Sequence, residues 1–222
     1  MPPALAFFSR ARWAALAGER HRWGVTVLVL LHLAAFAVLL STEDGPVPGL
    51  AFVLSWGLLN FVWLLMLRRP SVAAALSLIM VAVLILLSQF KQDILLMSAN
   101  FIDVMLIDAD TISFLLTIFP GLAAKAGAVA GLALPLLILF WWLDPLRVRF
   151  RIAALGAVAC LAALSVLSLA VSMDREKAFE SSDYVSQFAR SGALALYDLT
   201  TRGLLESDSS VRERLSSAAP TA

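Results

Sequence analysis

The chain has 222 residues, of which 61% are hydrophobic and 15% charged, with a formal net charge of +1. Its mean hydropathy of +0.88 and its apolar content lie well above the roughly 45–50% of a soluble globular domain, so one buried core cannot absorb the apolar residues. No basic run interleaves with aromatics, which leaves nucleic acid without support as a partner.

Residues 1–22 form a basic N-terminal segment, carrying Arg10, Arg12, Arg20 and Arg22 against one acid, Glu19. Five apolar stretches follow: Trp23–Leu40, Val47–Leu67, Ser71–Ser88, Gly127–Leu143 and Ile152–Ser172. Each holds roughly 17 to 21 residues, which at about 1.5 Å rise per residue covers roughly 26–32 Å, the thickness of bilayer hydrocarbon. None contains Asp, Glu, Lys or Arg; one charge at the centre of such a helix costs about 2.5–3.5 kcal/mol. The expected fold class is all-α, a polytopic membrane protein. Five transmembrane helices make up residues 23–172, with short interfacial helices between the third and fourth and an amphipathic outer helix near the C-terminus.

The first stretch has the basic flank and apolar core of a signal peptide. Its core is about 18 residues long and ends at Ser41-Thr42-Glu43-Asp44 rather than at a small-x-small cleavage site, so it reads as a retained signal-anchor helix. His32 within it reads as a neutral imidazole bonded to backbone or to a neighbouring helix. A proton relay would need an acid inside the bilayer, and the five stretches supply none. Cys160, the one cysteine, lies in the fifth stretch and reads as a small apolar filler.

Lys and Arg in short connections stay cytoplasmic. The N-terminus, Arg68-Arg69 and Arg147, Arg149 and Arg151 therefore belong inside. The acidic Glu43-Asp44 connection and everything after Ser172 then belong outside, which predicts an N-in, C-out chain.

Residues 91–125 break the pattern. Ile94–Ile107 and Thr111–Leu122 are apolar but too short to span, so they lie in the interface or dip in and return. Asp110 reads as the N-cap of the second short helix, and Pro120-Gly121 as its stop. Asn100 and Asp103, three apart, share one face of the first. With Lys91, Asp108 and Asp110 they form a polar cluster at the outer surface, a candidate for holding a lipid headgroup or docking an outer domain. Capping plus a solvated face is the structural alternative. Asp108 and Asp110 resemble part of a metal site, but His21 and His32 fall elsewhere, so no metal site and no catalytic residue are assigned.

Residues 173–222 form an outer juxtamembrane segment. Met173-Asp174-Arg175-Glu176-Lys177 is charged, and Phe179, Tyr184, Val185, Phe188, Leu196, Leu199 and Leu204 are spaced for an amphipathic surface helix broken at Ser191-Gly192. Ser207 through Ala222 reads as a flexible end or linker.

Lys91-Gln92-Asp93, Asn100-Phe101-Ile102-Asp103-Val104-Met105-Leu106-Ile107-Asp108-Ala109-Asp110-Thr111, Phe114-Leu115-Leu116 and Phe119-Pro120 together resemble a segment of the lipoteichoic acid synthase-like family, and more narrowly the Gram-negative sulfatase-like hydrolase/transferase membrane proteins. Tyr184 through Gly192, Tyr197-Asp198-Leu199-Thr200 and Glu206-Ser207-Asp208 are similar to the link between that family's last membrane helix and its outer domain. The resemblance covers roughly residues 23 to 208. It implies a membrane anchor and lipid-presentation module whose partners are a membrane lipid of phosphatidylglycerol type and an outer catalytic domain of the alkaline phosphatase superfamily. That domain uses a Thr nucleophile and divalent metal, and it would be expected to begin where this chain reaches Pro220-Thr221-Ala222. The chain itself is then expected to carry no cofactor and no hydrolase or transferase activity. A standalone polytopic scaffold or assembly subunit is the alternative. A transporter or channel is weakest, because the stretches carry no charged side chains to line a path.

Overall fold

A computed structural model of the chain describes residues 3–106, 108–144, 146–172 and 183–202. Eight helices and no strand occur among them: α1 Pro3–Thr42, α2 Pro46–Leu67, α3 Pro70–Leu95, α4 Phe101–Leu106, α5 Ala109–Ile118, α6 Pro120–Leu143, α7 Phe150–Ser172 and α8 Tyr184–Arg202. Five contain segments long and apolar enough to cross a membrane: His21–Thr42, Pro46–Leu67, Pro70–Ile94, Ala123–Trp142 and Phe150–Ala170. These are the five expected spans, the first four longer than their apolar runs and the fifth of equal length but shifted by two residues. The third extends furthest, because Gln89 through Leu95 continue α3 as a helix beyond Ser88. The fourth begins early enough to include Lys125, whose long stem can carry its ammonium out to the interface.

Several polar side chains inside the spans bond within their own helices, whereas Ser71 Oγ donates across to Gly24 O of α1 at 3.2 Å and the buried Ser88 Oγ and Trp63 Nε1 meet no partner among the described residues. Ser55 Oγ donates to Ala51 O at 2.6 Å, Asn60 Nδ2 to Trp56 O at 2.8 Å and Ser77 Oγ to Ala73 O at 2.9 Å. Without water, a hydroxyl or amide left unpaired in hydrocarbon costs several kcal/mol, roughly, and the carbonyl four residues back is always in reach. His32 follows the same rule: its Nδ1 lies 2.9 Å from Leu28 O, and its ring meets Trp56 edge-on at 5.7 Å.

α2 is the hub. Pro48, Ala51, Phe52, Ser55, Trp56, Asn60 and Leu64 are buried at helical spacing along it and face α1, α3, α7 and α8. Its tightest contact is with α7. A Cβ on Gly57 would lie 3.0 Å from Cys160 Sγ, and one on Gly156 would lie 2.5 Å from the Phe61 ring. Small residues let two backbones approach closely where lipid supplies no hydrophobic drive between helices. Cys160 is thus the filler expected, seated over a glycine.

One end of the bundle is fastened by Asp144, which is buried. Its Oδ2 accepts the Ser71 N–H at 2.7 Å and its Oδ1 the Leu146 N–H at 2.9 Å, so a residue from the α6–α7 connection caps the start of α3. Arg68, left-handed at φ 57°, ends α2 and accepts from Val148 N at 3.1 Å through its carbonyl. The Arg69 guanidinium lies 4.2 Å over the Trp141 ring and donates to the Trp141 carbonyl. α6 is the outlier: no residue of its Ala123–Trp142 span is buried.

Candidate functional site

The opposite end carries the α1–α2 connection, α4, α5 and α8, and here the expected polar cluster divides in two. Lys91, on the last turns of α3, reaches Asp103 of α4, Nζ to Oδ2 at 2.5 Å. The same Oδ2 accepts the Asn100 N–H at 2.7 Å, and Asn100 Oδ1 accepts the Asp103 N–H at 3.1 Å. That reciprocal pair is a capping box. Asn100 therefore precedes the helix as its cap instead of sharing a helical face with Asp103. The first short helix starts at Phe101, because Ile94 and Leu95 belong to α3 and Leu96 leaves it with φ 55°; Ile107 lies outside the described residues.

Asp108 and Asp110 belong to the other half. Asp108 is the N-cap of α5: it is extended, at φ −105° and ψ 176°, and its Oδ1 accepts the Thr111 N–H at 2.7 Å. The expected cap, Asp110, already lies inside the first turn. Of two acids two residues apart, only the first has the non-helical backbone that turns its carboxylate back onto the free N–H groups. Hydrogen bonding to Thr111, through its side chain first and its backbone second, holds the Asp108 carboxyl below the usual carboxylate range. Both acids are exposed, and Asp110 is placed to favour the positive end of the α5 dipole.

Both capping and the ion pair thus use residues offered as a headgroup site. Lys91 is engaged, so an incoming phosphate must compete with Asp103 for it. The Lys91 and Asp103 side chains retain 17% and 30% of their accessibility, and a pair this open contributes modestly. Asp103→Asn keeps an oxygen for the Asn100 N–H while removing the ion pair. It is expected to lower stability in a detergent melt by less than about 1 kcal/mol.

The larger construction at this end was not visible in the sequence. Glu43 and Asp183 clasp the start of α8. The Glu43 carboxylate accepts the Val185 N–H at 3.0 Å, the Ser186 N–H at 3.4 Å and the Ser186 hydroxyl, so it covers the free donors of the α8 N-terminus. In return Asp183 Oδ1 accepts the Asp44 N–H at 2.8 Å. Glu43 and Asp183 are both buried, at 7% and 0% exposure. Burial pushes the Glu43 carboxyl up to about 7; the Asp183 charge adds to this, and the bonds from Ser186 and Val185 oppose it.

Further contacts hold α8 along its first half. Val185 enters the core formed by Ala35, Phe52, Trp56, Ala74 and Val81. Ser98 donates to Gln187, and Ser191 Oγ accepts the Phe101 N–H at 2.8 Å. Phe101 meets Phe188 at 6.0 Å between ring centroids and lies 3.3 Å from where a Gly192 Cβ would stand. The expected break at Ser191-Gly192 is therefore absent. α8 runs unbroken through it, and the two small residues admit the Phe101 ring instead of interrupting the helix. α8 packs on α2, α3, α4 and α7. From Leu196 onward Leu196, Tyr197, Leu199 and Thr200 are exposed. Met173 through Lys177, Phe179, Leu204 and Ser207–Ala222 lie outside the described residues.

A sequence signal for the clasp was present only in part: Asp183 before the Val185/Phe188 spacing is an N-cap pattern. Among the described residues no three of His, Cys, Asp and Glu converge as a metal-ligand set. No family model, no curated protein and no solved structure matches the chain.

Proposed function

We propose that this chain is a multi-pass anchor of the bacterial inner membrane. In this reading it presents lipid to, and seats, an outer domain of sulfatase-like hydrolase/transferase type, the phosphoglycerol-transferase class that the sequence resembles. The observation that carries the reading is the seat of α8. An amphipathic helix is capped by Glu43, keyed into the core by Val185 and exposes Leu196, Tyr197, Leu199 and Thr200 in its second half. The arginine connections face the cytoplasm and the acidic end faces outward, in keeping with the charge bias of short loops. Lys91 is a cation at that end that a lipid phosphate can take in exchange for Asp103, and the exposed Lys125 near the start of α6 is another.

Two measurements on the 222-residue protein test this. In a Cys160→Ala background, Asp110→Cys is expected to react with an impermeant thiol reagent in intact spheroplasts and Arg147→Cys only after lysis; the reverse pattern defeats the orientation. Native mass spectrometry is expected to show phosphatidylglycerol retained over phosphatidylcholine, with retention reduced several-fold in Lys91→Gln. Equal retention of the two lipids defeats lipid presentation.

The exposed span of α6 favours a second reading, a scaffold that recruits another membrane helix. Cβ positions on Gly127 and Gly131 open onto free space. A cross-linked partner on that face, with no phosphatidylglycerol preference, would favour it.

A further inference from the structure

The seat of α8 buries two carboxyl groups. Glu43 sits against the α8 N-terminus with Asp183 beside it, both buried. The charged and titratable groups at this end come from the α1–α2 connection, α8, α3 and α4. Asp44 lies on Glu43's own connection, Asp183, Tyr184 and Arg190 on the seated half of α8, Lys91 and Asp93 on the last turns of α3, and Asp103 on α4, where it holds Lys91 at 2.5 Å. The ends of α2 and α7 at the seat contribute no charged side chain among their described residues.

We propose that α8 is a pH-dependent latch, seated while Glu43 is protonated and loosened when Glu43 ionises beside Asp183. The hydrogen bonds accommodate both forms of the carboxyl. In the neutral form Oε1 still accepts the Val185 and Ser186 N–H groups. The Ser186 hydroxyl, which rotates freely about its C–O bond, either donates to or accepts from the second oxygen. In the ionised form the same bonds remain, but a charge is buried next to a second carboxylate, which burial and repulsion both oppose.

The direction follows from linkage. Burial raises the Glu43 carboxyl from 4.5 to about 7 when α8 is seated, whereas a released α8 leaves Glu43 in water at its ordinary value. The seated state therefore binds the proton more tightly. Seating is most favourable at pH below 4.5, weakens as pH rises, and reaches its lower plateau above about 7. At tenfold per pH unit, the seating equilibrium changes by roughly two orders of magnitude across that window. The latch concerns α8 and the bundle alone and stands whatever follows Arg202.

Hydrogen exchange of the α8 N-terminal segment in the whole protein, reconstituted in lipid nanodiscs from pH 5 to 8 and corrected for intrinsic exchange rates, tests it. The Val185, Ser186 and Gln187 amides are expected to lose about 10- to 100-fold in protection as pH rises. Glu43→Gln, which cannot ionise, is expected to remove that dependence. Asp183→Asn keeps an oxygen for the Asp44 N–H but deletes the neighbouring charge, and is expected to move the midpoint to lower pH. Protection independent of pH in the unaltered protein, or an unchanged dependence in Glu43→Gln, overturns the proposal. Should Glu43→Gln fail to fold, judged by its melting temperature, Asp183→Asn decides, and an unmoved midpoint overturns the proposal equally.

Discussion

Replacing Gly156 with leucine is expected to part α7 from α2 and destabilise the bundle by about 1–3 kcal/mol, the usual penalty of overpacking a filled contact. Even a single Cβ at 156 would stand 2.5 Å from Cε1 and Cζ of Phe61. The ring has little freedom to withdraw, because it packs against the cluster of Leu64, Ala73 and Ala153. Gly127→Leu and Gly131→Leu on α6 serve as controls, since nothing lies within 4 Å of either Cβ position; both are expected to leave the detergent melting temperature unchanged. Phe61→Ala combined with Gly156→Leu is expected to recover part of the loss, a coupling that a double-mutant cycle measures directly. Equal losses in the α6 controls would show that the sensitivity comes from leucine in any span rather than from this contact.

The second large effect is expected at Asp144. Its carboxylate is 3% exposed and accepts N–H groups from Ser71 and Leu146. Asp144→Ala leaves both donors without a partner in a buried site, at about 1–3 kcal/mol for the unsatisfied groups. Asp144→Asn keeps one oxygen acceptor and is expected to retain much of that stability. Limited trypsin digestion checks the location of the damage: cleavage is expected to rise after Arg68 and Arg147, in the two connections that Asp144 joins. An unchanged pattern with a lowered melting temperature would place the effect elsewhere.

The spans were legible because bilayer physics writes them in composition. Five runs without a charged residue leave few alternatives, and the helix formers in them are satisfied by their own backbones. Their ends were less legible. Gln89 through Asp93 lie beyond the apolar run Ser71–Ser88, yet they continue α3, which stops where the backbone turns left-handed at Leu96. In the candidate site, local chemistry could be read and long-range pairing could not. Asn100 and Asp103 were recognisable as polar partners three apart, although as a capping box rather than a face. The cap of α5 was displaced by two residues, from Asp110 to Asp108, because both acids satisfy the pattern and only backbone geometry distinguishes them. Glu43 escaped altogether. Its partners Val185 and Ser186 lie 142 and 143 positions away, and an acidic residue in a short connection reads first as an orientation signal.

The close approach of Gly57 to Cys160 and of Phe61 to Gly156 also bears on how the chain is assembled. Spans enter the bilayer in the order of synthesis, and two other spans, on α3 and α6, lie between α2 and α7. During that interval the α2 face destined for α7 has only lipid against it, and the contact closes only when residues 150–172 arrive. A nascent chain halted before Phe150 is therefore left with an open flank on its central helix, the state in which quality-control proteases and membrane chaperones would meet it.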